Sequence, residues 1–377
     1  MNPIRKQVRR NSPALFCVVL GVFLLLWGCS PRVPAPEPVA PDVLAGLPFA
    51  PPRQADLLGK MVLTLADADV VYPAFSPDGR WLAWASVVVK GSSEFTGVWV
   101  RDLKRGVNQL LLDADQSGKY ATYSAFVYDL HWESDHTLVA NISDGDVDTT
   151  RIRWRLPEGS KLDESAPNTE GEFLSGLRAK AREFDKKPDL PGPVLETALQ
   201  NSFRISRGLF VGQIQHAGHE DHIRMFHPDG RMDLLMELPE RPGYGLTGGF
   251  RLGGDIVFLL TGHSHDAAHL FVHRKGANHK LISLKAPSQN ATLKVLSQEN
   301  GGVWMLARLG YSHTPPDQMG LFFYQAGRNG GTLLRPRGFD ERVHSAAVSV
   351  KAGMIALSLW QGKTRRLSLR RLGPEGR

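Results

Sequence analysis

The stretch Tyr72-Pro-Ala-Phe-Ser-Pro-Asp-Gly-Arg-Trp-Leu-Ala-Trp-Ala-Ser86 decides the fold. Two short apolar runs, rich in aromatic residues, flank Ser76-Pro77-Asp78-Gly79. Pro77 presets φ at the second position of a tight turn and Gly79 tolerates positive φ, so the tetrapeptide reads as a hairpin connection between two strands. Downstream, 97–103 and 108–113 supply two more apolar runs, and the whole reads as one four-stranded antiparallel unit.

The same order recurs at a spacing of about 40 to 50 residues, the period of four-stranded repeat units. Residues 129–132 with 137–142 open a second unit, 203–205 with 208–214 a third, and 250–252 with 255–260 a fourth. A fifth is 293–295 with 303–307, and a sixth is 346–350 with 354–359 and 364–369. The sixth ends one strand short, and 61–65, upstream of the first unit, can supply the missing strand and close the ring. Closure removes the exposed edges an open array would leave. The 72–86 stretch closely resembles the repeat of TolB-like propellers, a branch of the WD-type repeats. The resemblance implies an all-β fold, a six-bladed β-propeller over residues 59–377. Residues 157–198, polar and proline-bearing around a predicted helix at 172–184, read as an insertion between the second and third blades.

The N-terminus carries a different signal. Arg5, Lys6, Arg9 and Arg10 precede the apolar run 14–27, which is about half the roughly 20 residues a membrane-spanning helix needs and fits an export signal over 1–28. The run ends in Leu26-Trp27-Gly28-Cys29, which resembles the lipobox of bacterial lipoproteins, with Trp27 where that family has a small residue. The resemblance implies a covalent lipid on Cys29, and Ser30 in place of Asp implies an outer-membrane lipoprotein facing the periplasm. Two acyl chains give stable anchoring where one is marginal. From Pro31 to Pro52 eight prolines recur at irregular spacing. Residues 29–58 therefore read as an extended tether or as plain disorder.

Composition removes several functions. The formal charge is +7; the four basic residues before Cys29 account for 4 of it, leaving 7 minus 4, or +3, too little to point to nucleic acid. Both cysteines, Cys17 and Cys29, lie in the first thirty residues, so the remainder has neither a disulfide nor a thiolate metal site. There is no Gly-x-Ser-x-Gly elbow and no His-Glu-x-x-His, and Ser143-Asp-Gly-Asp-Val-Asp148 lacks the twelfth-position glutamate of a calcium loop.

Two constellations remain. His216, His219 and His222, then His263, His265 and His269, occupy connections between second and third strands of successive blades, which share one face of a propeller. They read either as solvated loop histidines or as a zinc or copper site, since neutral imidazole is a common ligand for both metals. Arg204, Arg251 and Lys294 follow an apolar residue in three first strands, with His131 and Ser349 at the equivalent places. These read either as local ion pairs or as a cationic ring at the channel mouth suited to a partner's carboxylate. The expected function is a lipid-anchored envelope binding or scaffold protein, monomeric and without a bound cofactor, whose propeller face or channel docks a protein or cell-wall partner. The alternative is a metal-dependent or small-molecule enzyme using the histidine-rich face.

Overall fold

The structure, a computed structural model, describes residues 44, 46–49, 51–65, 69–117, 124–143, 148–165, 169–214, 222–238, 244–262, 267–285, 291–299, 301–309, 320–327 and 330–376. Blade one is β3 (Asp69–Phe75), β4 (Trp81–Lys90), β5 (Ser93–Asp102) and β6 (Val107–Leu112). Blade two is β7 (Phe126–Ser134), β8 (Thr137–Ser143), β9 (Asp148–Arg155) and β10 (Ser160–Ser165). Blade three is β11 (Phe203–Ser206), β12 (Leu209–Ile214), β13 (His222–Phe226) and β14 (Met232–Glu237). Blade four is β15 (Tyr244–Leu252), β16 (Asp255–Gly262), β17 (Ala267–Arg274) and β18 (Ala277–Lys285). Blade five is β19 (Ala291–Glu299), β20 (Gly302–Leu309), β21 (Gly320–Gln325) and β22 (Thr332–Pro336). Blade six takes β23 (Val343–Ser349), β24 (Met354–Gln361) and β25 (Thr364–Leu372) from the C-terminus and β2 (Leu58–Leu65) from upstream of blade one. Six antiparallel sheets in this order are the blades of a β-propeller.

The turn that opened the sequence reading forms as its chemistry requires. Gly79 sits at φ +75° and its N–H reaches the Ser76 carbonyl at 2.8 Å. The Ser76 hydroxyl donates to Asp78 and accepts from the Trp81 N–H at 2.9 Å. Tyr72, at φ +51° before Pro73, is a register shift that the sequence did not signal; its N–H is held by the Ser345 hydroxyl at 3.0 Å.

Ring closure pairs β2 antiparallel with β25, with Leu63, Thr64 and Leu65 opposite Leu369, Ser368 and Leu367. Asp69 fixes the same seam, accepting from Arg365 Nε at 2.6 Å and from Arg365 Nη2 at 2.7 Å. The fold also begins earlier than a tether ending at residue 58 allows. β1 (Arg53–Ala55) pairs in parallel with β22, Leu57 is fully buried, and Leu44 is buried against blades three and four. The Lys280 ammonium donates to the Leu44 carbonyl at 2.9 Å and lies 5.1 Å from the centre of the Phe49 ring. Leu44, 46–49 and 51–65 thus strap the edges of blades four, five and six in turn. Proline density hides this, because proline is tolerated at sheet edges as readily as in a free linker.

The insertion also starts later than expected. Residues 160–165 are the fourth strand of blade two, and their fully exposed Ser-Lys-Leu-Asp-Glu-Ser pattern carries none of the apolar alternation that marks a strand. The helical part is Thr169–Arg182 followed by Gly192–Gln200. Its second helix lies on blade three: Ala198, Val194 and Leu195 pack on Phe210, Ile214 and Phe226. Gly212 permits that approach, since a Cβ there would stand 3.0 Å from the Ala198 carbonyl oxygen. Lys180 joins the two helices, donating to the carbonyls of Leu199 and Ser202 at 2.7 and 2.8 Å; burial pushes its pKa down.

Candidate binding site

Blades pack through apolar faces. Among the described residues, buried apolar clusters join blades one and two, three and four, four and five, five and six, and six and one. None joins two and three; the blade-three face that would meet blade two is the one the helical insertion covers. Blade two accordingly has two unlike faces. Leu130, Leu138, Ala140, Ile152 and Trp154 alternate toward blade one. The residues between them, on the face turned away from blade one, are Asp129, His131, Asn141, Arg151 and Arg153, set around the buried Val139, which pairs with His131 and Arg153.

These side chains are linked across three strands. Asp129 accepts from His131 Nδ1 at 2.7 Å and from Asn141 Nδ2 at 2.9 Å, and Arg151 Nε donates to Asn141 Oδ1 at 2.9 Å. On the same blade, Arg153 bridges Glu133 at 2.6 Å and Asp163 at 2.9 Å. Asn141 is buried, while the side chains of Asp129 and His131 are each 44% exposed, so the network is anchored in the sheet yet open to a ligand. The hydrogen bond to Asp129 raises the His131 pKa against the opposing effect of burial. Burial pushes the Asp129 carboxyl up, but the His131 and Asn141 hydrogen bonds and the charges of His131 and Lys294 outweigh it, and its pKa falls below the ordinary value. A charged pair held in this way is arranged to bind polar groups.

The structure builds one of the sequence-predicted cations into this wall, leaves a second acting on it only through its charge, and takes two away. His131 is part of it, and Lys294, exposed on β19 of blade five, acts on Asp129 from another blade. Arg204 instead pairs with Glu183 of the insertion at 3.3 Å. Arg251 donates back to the Gly253 carbonyl at 3.0 Å and is one residue from the end of its strand, whereas Lys294 is followed by Val295–Glu299, five further strand residues. That difference of four residues is roughly 13 Å along a strand, so no single ring level holds both. The shared apolar-cation-apolar triplet aligned the sequences but not the distance to the turn. Ser349 is buried at the opposite end of β23 from the connection to blade five and accepts from the Ala352 N–H. Asp129, Asn141 and Arg151 were missed; the signal available was the polar, charged alternation of 126–134 and 148–155 in a blade whose neighbours alternate apolar residues on both faces.

Of the histidines, His216, His219, His263 and His265 lie outside the described residues, as does Cys29. His222 is half-buried at the start of β13 opposite Ile214 and Glu237. His269 is fully buried on β17, with Nδ1 2.9 Å from the Ser283 hydroxyl and its ring against Tyr244 and Phe271. Among the described residues, no three His, Cys, Asp or Glu side chains gather as a metal would need.

No protein-family model matches the chain, and no curated protein matches it. Among solved structures it is similar to an oligogalacturonate lyase in complex with manganese, at 14% identity over 87% of this chain and 100% of that one, with a TM-score of 0.40. It is similar to the β-propeller domain of the Trilobed protease from Pyrococcus furiosus, at 13% identity over 86% and 96%, TM-score 0.32. A prolyl endopeptidase structure matches at 11% identity and TM-score 0.32 over 85% of this chain; the chain spans 41% of that protein's length. The number of blades and the order of their strands are properties of this chain's own sheets.

Proposed function

We propose that the chain is an envelope binding protein, held in the outer membrane by a lipid on Cys29, whose propeller receives a protein or cell-wall-associated partner at the charged wall of blade two. The observation that carries the reading is the contrast between faces: where the other seams bury apolar side chains, blade two presents a linked Asp129–His131–Asn141–Arg151 array whose Asp129 and His131 are half-exposed. A surface kept polar where packing is otherwise the rule is better explained by an external ligand than by stability, since exposed pairs contribute only about 0 to 1 kcal/mol each. Preformed hydrogen bonds reduce the ordering a ligand must supply.

The test is a lipid-preserving pull-down from the native host. Arg151→Glu and His131→Ala are expected to stay in the membrane fraction and lose the partner recovered with the wild type. Cys29→Ser is expected to leave the propeller folded, abolish palmitate labelling and stop membrane retention of the processed chain. Wild-type recovery by both blade-two variants would move the docking surface elsewhere. Normal palmitate labelling of Cys29→Ser would end the anchor reading independently.

A further inference from the structure

The helical insertion carries a feature that the propeller does not need. Its second helix is apolar on two sides: Val194 and Ala198 turn to blade three, while Leu195 and Leu199 also face the first helix. Between the helices lies an open cavity of about 360 Å³, floored by Leu177, Ala181 and Phe184 on one side and Leu195 and Leu199 on the other. Such a volume is at the small end of the range for ligand sites, roughly 300 to 1,000 Å³.

The charges at the cavity fit this size. Arg178 and Lys187 line it, with Glu196 as the opposing carboxylate, a balance of 2 minus 1, or +1. All three are exposed, and among the described residues neither cation enters an ion pair or a side-chain hydrogen bond. Lys180, by contrast, is committed to the carbonyls that join the helices. An apolar groove with two uncommitted cations at its edge suits a molecule with a short apolar chain and one anionic end.

We propose that the groove between Thr169–Arg182 and Gly192–Gln200 binds a small single-chain amphiphilic anion of the fatty-carboxylate class. The chain lies on Leu177, Ala181, Phe184, Leu195 and Leu199, and the carboxylate is held by Arg178 and Lys187. This site is separate from the blade-two wall, so its failure leaves the docking reading untouched.

The experiment is calorimetric titration of the full-length chain with sodium dodecanoate below its micelle concentration, with acetate and dodecylamine as comparators. Saturable dodecanoate binding is expected, with acetate undetectable and dodecylamine at least about tenfold weaker. Arg178→Glu with Lys187→Glu should weaken dodecanoate about tenfold, and Glu196→Gln should tighten it. Ala181→Trp fills the floor and should abolish binding while the chain still unfolds in one cooperative transition. Dodecanoate binding no better than acetate would overturn the proposal. Binding indifferent to charge reversal, or dodecylamine equal to dodecanoate, would overturn the carboxylate assignment; wild-type binding by Ala181→Trp would overturn the location.

Discussion

Leu57→Ala tests whether the proline-rich N-terminal segment is a tether or part of the folded wall. Leu57 is 0% exposed, between β1 and β2, in the cluster that includes Trp304, Leu334, Val343 and Leu372. Its carbonyl accepts from the Gly373 N–H at 2.8 Å, so the backbone is fixed on the C-terminal end of the chain and cannot follow the smaller side chain inward. Losing the buried side-chain carbons forfeits about 2 kcal/mol of transfer free energy at about 0.8 kcal/mol per methylene. A cavity that cannot collapse brings the total to about 3 kcal/mol, within the 2 to 5 kcal/mol measured for buried leucines. In a domain of this size the midpoint of thermal unfolding should fall by roughly 6 °C, at about 2 °C per kcal/mol. Urea unfolding of the full chain should show a lower midpoint with an unchanged slope. Leu47→Ala, at a residue 42% exposed in the same segment, is the control and should change stability by less than about 1 kcal/mol. Equal midpoints for the two variants would mean that 53–57 is not part of the folded domain and that the tether does extend to residue 58.

Two further outcomes follow from the hydrogen-bond networks. The His131 pKa is raised from its ordinary 6.5, so the pair's contribution to stability is complete below that value and is lost as pH rises through the higher folded-state value. Asp129, lowered from 3.8, contributes above that pH and loses its contribution as pH falls through its lower folded-state value. An imidazole titration by NMR should therefore place His131 above 6.5 and move it down in Asp129→Asn; an unmoved midpoint would refute the pairing. At the rim between blades four and five, the Tyr324 hydroxyl donates to Asp255 at 2.7 Å and accepts from Arg274 at 2.9 Å. Burial first, then the Asp255 hydrogen bond, raises the Tyr324 pKa, and Tyr324→Phe should destabilise the chain by about 1 to 3 kcal/mol in urea, because a buried ionic partner loses a donor. An unchanged urea midpoint would show that the hydroxyl does not clamp this seam.

How far the sequence could be read depended on whether a feature was local. The Ser76–Gly79 turn is specified by residues that touch one another, and the structure reproduces it with the N–H and hydroxyl contacts its residue types require. The second strands of blades two to six could be located by their near-contiguous apolar runs, and the first strands by the short triplets with a polar or basic middle residue that precede them. The closing strand could be inferred because the sixth unit was one strand short, and β2 pairs with β25. By contrast β10 is exposed at all six positions, and an edge strand without a buried face leaves no periodic signal.

The candidate wall shows the same division. His131 and Lys294 were singled out by their place in a repeated triplet, and Arg204 and Arg251 by that same triplet, yet only the first two act on Asp129. A triplet records which face a side chain takes; how far it stands from the turn depends on strand length and bulges, which differ between blades. The sequence by itself determined the repeat, the hairpin chemistry and the need for a strand from upstream, because these follow from neighbours along the chain. Only the tertiary structure decided that blade two turns a charged face away from blade one, that helices cover blade three at the seam, and that Leu44 and 51–57 belong to the folded domain. Each depends on which surfaces meet across long sequence separations, and burial between distant segments is a property of their packing, not of either segment alone.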